Sequence, residues 1–317
     1  MAALTLIEAS KLYYNSGDDF RGAIAEMFAT SNPIMMNMPF ETIQGTALSF
    51  SREATLPGIA FRGVNESFTP SAGVVQNLTE ALRLGGGAVD VDRFIVENLG
   101  ESARSTHERM KIKALTQDFM RAFFKGDSSS NPKEFDGLQK RLIGSQGISN
   151  KRAASPAGGE VLSLAKLDEA IDAVASATHI LMNKAMRRRL KAAARATGVS
   201  GTINYSTNEM GAEIMFYNGL PVVGIEDANG ADTILPFSEA ASDGGGSAEN
   251  TSIYIVSFGP MMLTGIQGAA ALTPTDIGKL ESGAAYRTIV DWDVSFVIWH
   301  GRAAARLRDI IDGPVVA

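Results

Sequence analysis

Residues 49–80 cannot build a core of their own, and the rest of the chain has to be arranged around that fact. Serines alternate with Phe50 and Arg52, Leu56-Pro57-Gly58 marks a turn, and Phe61, Gly63, Phe68, Pro70 and Gly73 follow without a sustained apolar face. The spacing predicts a long, thin hairpin. Residues 1–48 are similar in kind. Leu4, Ile7 and Leu12 suit a first helix, but Ser31-Asn32-Pro33 and Asn37-Met38-Pro39 break the pattern before a core could form. Both segments must bury their apolar side chains against something else, and the nearest source is another copy of the chain.

The remainder is long enough for one large domain or two modest ones. Residues 79–97 read as strand, interrupted by Gly85-Gly86-Gly87. Asn98 stands three positions before Glu101, as a capping box requires. From Glu101 to Lys125, Ile112, Leu115, Phe119, Ala122 and Phe123 recur at helical spacing with no glycine or proline before Gly126. Roughly 25 residues at about 1.5 Å each predict a rod of roughly 38 Å. Ser163 opens a second helix carrying Leu164, Leu167, Ile171 and Val174 on one face. Asn183 caps a third, ended by Gly198, with Met186, Leu190 and Ala194 inward. Asn218-Gly219 predicts a tight hairpin turn, Asp243 to Glu249 a flexible loop tip, and Thr251 to Phe258 a strand. In residues 286–300, Tyr286, Val290, Trp292, Val294, Phe296 and Ile298 alternate with Arg287, Asp291, Asp293 and Ser295, which predicts a strand buried on one face. A short helix from Arg302 to Ile311 is expected to close the chain. Separate helical and β segments, rather than regular βαβ alternation, give an α+β class.

Few chemistries remain open. The absence of cysteine removes disulfides, zinc ribbons, iron–sulfur clusters and thiol nucleophiles. With 35 acidic and 29 basic residues the formal charge is −6, which argues against affinity for nucleic acid through bulk charge. There is no Walker loop, no complete dinucleotide fingerprint at Gly85-Gly86-Gly87, and no Gly-x-Ser-x-Gly elbow. The first eight residues lack the basic and long apolar regions of a secretory signal, so synthesis in the cytoplasm is expected and the glycosylation-type triplets at Asn65, Asn77, Asn204 and Asn250 are chance matches. His107, His179 and His300 are isolated, and His300 is expected as a core imidazole on the last strand. Asp90/Asp92 and Asp291/Asp293 could hold calcium if their strands were neighbours, or could pair with Arg83, Arg93 and Arg287. Arg187, Arg188, Arg189, Lys191 and Arg195 form one dense basic cluster, a solvated helix face or a contact for nucleic acid. No catalytic constellation emerges, so no enzyme, cofactor, metal site or membrane association is expected.

Six stretches nevertheless carry a resemblance in order along the chain: Arg52 to Gly58, Phe61 to Glu66, Phe124 to Asp127, Glu134 to Leu138, Met182 to Arg187 and Asn218 to Pro221. Together they resemble the major capsid proteins of tailed bacteriophages with the Hong Kong 97-type fold. The resemblance implies an N-arm (1–48), an E-loop (49–78), a P-domain (79–150) with its spine helix at 99–126, an A-domain (151–285), and a P-domain return strand and C-terminal helix (286–317). It implies a virion protein, assembled in the host cytoplasm, whose hexamers and pentamers tile an icosahedral head around double-stranded DNA. Portal, scaffolding and cement proteins are the implied partners.

On that reading Phe50, Leu56, Phe61 and Phe68 would bury apolar surface on neighbouring subunits, while Arg52, Glu53, Arg62 and Glu66 would set register by charge. Gly45, Gly58, Gly63 and Gly73 would be hinges that let one sequence fit six-fold and five-fold rings. Arg187, Arg188, Lys191, Arg195, Arg302 and Arg306 are the candidates for a lumen- or DNA-facing surface, with Arg308 beside them. Two departures stand out. The N-terminal scaffolding segment of some members is missing ahead of the arm, which implies a separate scaffolding protein or prior cleavage. No lysine lies between Lys11 and Lys111, so the E-loop lysine of self-crosslinking members has no counterpart. An encapsulin-like nanocompartment and an uncharacterised enzyme built around Asp291 and Asp293 are the alternatives.

Overall fold

The structure is a computed structural model that describes residues 5–15, 32–152, 157–195, 203–207, 213–227, 233–245, 249–269, 272–281 and 283–316. In chain order the elements are α1 (Leu6–Asn15), α2 (Pro33–Asn37), β1 (Phe40–Thr42), β2 (Ala47–Thr55), β3 (Val74–Ala81), β4 (Arg83–Asp92), α3 (Arg93–Leu99), α4 (Glu101–Lys125) and α5 (Leu138–Arg141). Then come β5 (Gly147–Ser149), β6 (Glu160–Ser163), α6 (Leu164–Asp172), β7 (His179–Asn183), α7 (Lys184–Ala193), β8 (Ile203–Thr207), β9 (Glu213–Tyr217) and β10 (Leu220–Ile225). The chain finishes through β11 (Thr251–Val256), β12 (Leu263–Gln267), β13 (Thr273–Lys279), β14 (Ala285–Ile298) and β15 (Ala304–Val316). Among the described residues, no helix is long and apolar enough to cross a membrane.

These strands form three sheets. A five-stranded sheet runs β1-β12-β14-β13, with β4 also paired to β14. An eight-stranded sheet runs β5-β15-β11-β7-β10-β9-β8, with β6 also on β15, and β2-β3 stands as a separate two-stranded ribbon. The main core lies between one face of α4 and the inward face of β14. Phe119 meets Trp292 at 5.1 Å and Phe123 meets Phe296 at 4.9 Å between ring centroids. A second core joins α6 and α7 to the eight-stranded sheet through Leu167, Met186, Leu190, Ile253 and Ile255. The local signals act as expected at α7, where Asn183 accepts from the Met186 amide at 2.7 Å, and at the Asn218-Gly219 turn, where both residues take positive φ of 50° and 79°.

Four local expectations fail for identifiable reasons. Gly85-Gly86-Gly87 does not interrupt β4, which pairs with β14 across its whole length. Glycine is needed at Gly86 for close approach, since a Cβ there would collide with the Val290 carbonyl. Asn98 does not cap α4. It lies inside α3 and donates to the Phe94 carbonyl at 2.7 Å, leaving Gly100, with φ of 82°, to turn the chain between the helices. His300 is exposed in the turn after β14 rather than in the core, and its Nδ1 accepts from the Arg302 amide at 3.1 Å. The terminal helix is a strand. Although Ala303-Ala304-Ala305-Arg306-Leu307 suits a helix, β15 fills the gap between β5 and β11 and buries Ala304, Ala305, Leu307 and Ile310, so backbone pairing overrides local propensity. The expected end of α7 at Gly198 and residues 246–248 of the loop tip at 243–249 lie outside the described residues.

Candidate functional site

The feature that stands out is the ribbon of β2 and β3. Cross-strand pairs alternate by face, as pleating requires. Ser49 with Thr79 (3.1 Å) and Ser51 with Asn77 (2.8 Å) join their side chains on the outer face. Leu48, Phe50, Leu78 and Glu80 occupy the other, which rests on the body. Phe50 is buried there, 5.1 Å from the Trp299 ring and beside Ile43, Ile266 and Val297. Phe50 is therefore an anchor within its own subunit and not an inter-subunit contact, because the hairpin root, unlike its tip, has the body to pack against.

Beyond this root the chain between β2 and β3, residues 56–73, projects with apolar side chains uncovered. Leu56, Ile59, Phe61, Val64 and Phe68 are between 64% and 105% exposed. So contiguous a row of large exposed apolar residues marks a surface that another molecule covers. The loop holds its own shape. Glu66 accepts from the Gly63 amide at 2.8 Å, Arg62 donates to the Glu66 carbonyl at 3.1 Å and lies 5.2 Å from the Phe68 ring centroid, and Ser71 donates to the Gly58 carbonyl at 2.8 Å. Asn65 takes a positive φ of 69° at the turn. Arg62 and Glu66, expected to act across a subunit boundary, are thus engaged within the loop, while Arg52 is tied to Gln76 at 3.1 Å and Glu53 sits exposed in β2. Among the four hinge glycines only Gly45 lies in the left-handed region, at φ of 108°. Gly73 serves close approach instead, since a Cβ would press on the Thr55 carbonyl at 3.1 Å.

Sequence reasoning picked out Leu56, Phe61 and Phe68 but passed over Ile59 and Val64, which lie in the same run. It also missed Glu80 and Arg141, whose bidentate pair fixes the inner face of the ribbon; separated in sequence, they carry no local signal.

The expected basic surface divides. Arg306 is an ion-pair partner of Glu239 at 2.9 Å inside the fold, and Arg302 donates to the carbonyls of Asp172 and Ala173 at the end of α6, so neither presents a free guanidinium. Arg308 is only partly exposed. Arg187, Arg188, Lys191 and Arg195 do line the outer side of the α7 region, with Lys191 paired to Glu213 and lying 5.3 Å from the Tyr205 ring. The two carboxylate pairs lie on neighbouring strands but are not brought together, since Asp291 stands opposite Gly86 and Asp90 opposite Arg287. Asp90 forms a two-point bond to Arg287 at 2.6 Å, which holds its carboxyl below the usual range, and Asp92 caps α3 through the Phe94 amide. Among the described residues, no cluster of three or more potential metal ligands occurs.

Residues 16–163 match the family model of the major capsid protein GP7. No curated protein matches the sequence. Among solved structures the chain is similar to the holo-SrpI encapsulin complex from Synechococcus elongatus PCC 7942, with a TM-score of 0.61 and 14% identity over 91% of each chain. It is also similar to the capsid of an empty GTA particle (TM-score 0.60, 13% identity, 88% of this chain and 90% of that one) and to Microbacterium phage Oxtober96 (TM-score 0.60, 10% identity, 89% and 91%). The fold is the Hong Kong 97 capsid fold. Family match and fold together support a major capsid protein of that type, a structural component of a virion that acts by associating with copies of itself. The encapsulin likeness stands as the alternative shell.

Proposed function

We propose that this capsid protein forms hexamers and pentamers that close an icosahedral head around double-stranded DNA, held by non-covalent contacts of its arm and hairpin. The single observation that carries this reading is the uncovered row from Leu56 to Phe68 on a loop already held in shape: a preformed apolar tip loses little entropy on docking. Residues 1–48 act as the N-arm, 49–78 as the E-loop, α4 with β4 and β12 to β14 as the P-domain, and the eight-stranded sheet with α6 and α7 as the A-domain, so that β5 and β15 pass from the expected P-domain segments (79–150 and 286–317) to the A-domain. Each contact can be as weak as about −4 kcal/mol, millimolar affinity, provided several act together on one subunit. Weak contacts let misplaced subunits leave, and many together hold the shell.

With a net charge of −6 the subunit does not condense DNA by attraction, so on this reading the genome is driven in through a portal, after assembly on a scaffolding protein. Deleting residues 56–73 should leave a folded, monodisperse subunit that makes no shells in electron micrographs, and normal particles from that deletion would sink the proposal. The likeness to the Synechococcus encapsulin favours one other reading, a shell around protein cargo. Purified particles containing protein cargo and no nucleic acid would decide for it.

A further inference from the structure

Among the described residues, and beside the direct run of β3 into β4, two side-chain contacts of different character hold the ribbon to the body. Phe50, Leu48 and Leu78 make an apolar pad against Trp299, Ile266 and Val297, and apolar contact is non-directional, so a pad alone lets the ribbon pivot. The second contact is directional. Glu80 on β3 accepts both terminal nitrogens of Arg141, at 2.5 and 2.9 Å, in the planar fork geometry that resists rotation.

Arg141 is itself rigidly mounted. Its Nε donates to the Asp136 carbonyl at 2.6 Å, and its guanidinium lies 4.3 Å from the Phe296 ring centroid. The neighbouring Lys140 is held by Asp127 (2.5 Å) and Asp136 (2.9 Å), and the Gly137 amide donates to the Gly126 carbonyl at 2.8 Å, directly beyond the end of α4. A continuous series of polar contacts therefore runs from the ribbon through Arg141 to the C-terminal end of the longest helix.

We propose that Arg141 is a positioning residue: its fork to Glu80 sets the angle at which the hairpin leaves the body, and through that angle the curvature of the shell. The second half of the statement rests on the capsid reading; the first does not. Because the chain has no cysteine, a spin-label pair can be introduced at Ser67→Cys and Ser130→Cys without background. Electron–electron resonance on the free subunit then measures the distance between tip and body. In the parent the distribution should be narrow. Arg141→Lys, which keeps the charge but not the fork, and Glu80→Gln should each raise the off-angle population roughly tenfold. The exchanged pair Glu80→Arg with Arg141→Glu should narrow it again. Unchanged distributions in both single variants overturn the inference, whatever the shell does. In assembled particles the single variants should broaden the spread of diameters while the parent stays uniform. Uniform parent-sized particles from both would overturn the link to curvature alone, whereas a parent that forms no particles would overturn the capsid reading and leave the angle measurement standing.

Discussion

Replacing Phe61 with serine should leave the free subunit as stable as before and sharply raise the concentration at which shells form. In the free subunit the ring is 105% exposed, so it touches nothing that holds the fold, and surface changes of this kind shift stability by no more than about 0.5 kcal/mol. Fully burying a phenylalanine contributes about 1.5–3 kcal/mol. If Phe61 docks on a neighbour, the substitution removes about 2 kcal/mol per contact, which at about 1.4 kcal/mol per tenfold corresponds to a roughly 30-fold rise in the threshold for assembly. Light scattering against subunit concentration reads that threshold, and thermal unfolding of dilute subunit reads the fold. Phe50→Ser is the internal contrast. Its ring is buried on Trp299, so it should lower subunit stability by about 3 kcal/mol. An unchanged threshold for Phe61→Ser, or a fall in subunit stability as large as that of Phe50→Ser, would refute the reasoning.

Gly86→Ala should destabilise the subunit by about 1–3 kcal/mol in urea titrations, since the new methyl meets the Val290 carbonyl and a paired strand has nowhere to move. Glu239→Ala should cost about 3–5 kcal/mol, because it strands the Arg306 guanidinium in the interior, and a mild effect would mean that water reaches the pair. Burial lowers the pKa of His179 beneath its ordinary value near 6.5. The unfolded chain then binds the proton more readily than the folded one. Stability is full above about pH 6.5 and declines as pH falls below it. His179→Gln should flatten that part of the thermal-midpoint profile, and a profile of unchanged slope would count against the buried neutral imidazole.

Short-range chemistry was legible in the sequence at several places where the partner lay close along the chain, though not at Asn98, which bonds back to Phe94 instead of capping α4. Asn183 caps α7, Asn218-Gly219 turns β9 into β10, and the uninterrupted run after Glu101 is a single helix, because a few neighbouring residues settle each of these. Where the outcome depended on distant chain, residue type was right and destination wrong. Phe50 was recognisably a ring in search of a partner, but nothing local says that Trp299, rather than another subunit, supplies it. Arg302 and Arg306 read as free charge until the end of α6 and the carboxylate of Glu239 arrive from far along the chain. The stretch from Arg302 to Ile311 had a helical composition, and only the opening between β5 and β11 makes it a strand. The row at the hairpin tip was the most readable part of the candidate site, because exposure there follows from the lack of any local core.

The order in which strands enter the two large sheets has a consequence for synthesis. The chain lays down β1 and β4 in one sheet, builds most of the other from β5 to β11, returns for β12 to β14, and inserts β15 last, between β5 and β11. A nascent chain therefore completes the five-stranded sheet with β14 but leaves the eight-stranded sheet divided between β5 and β11 until residues 304–316 have left the ribosome. The hairpin's strand pairing, by contrast, joins residues close in sequence, although its root is anchored only once Arg141 and Trp299 have been made. A subunit built this way shows its sticky tip before the larger sheet is closed, which makes the late strand a checkpoint: a product truncated before residue 304 keeps open strand edges at β5 and β11 that expose it to chaperones and proteases rather than making it a flawed brick in a wall.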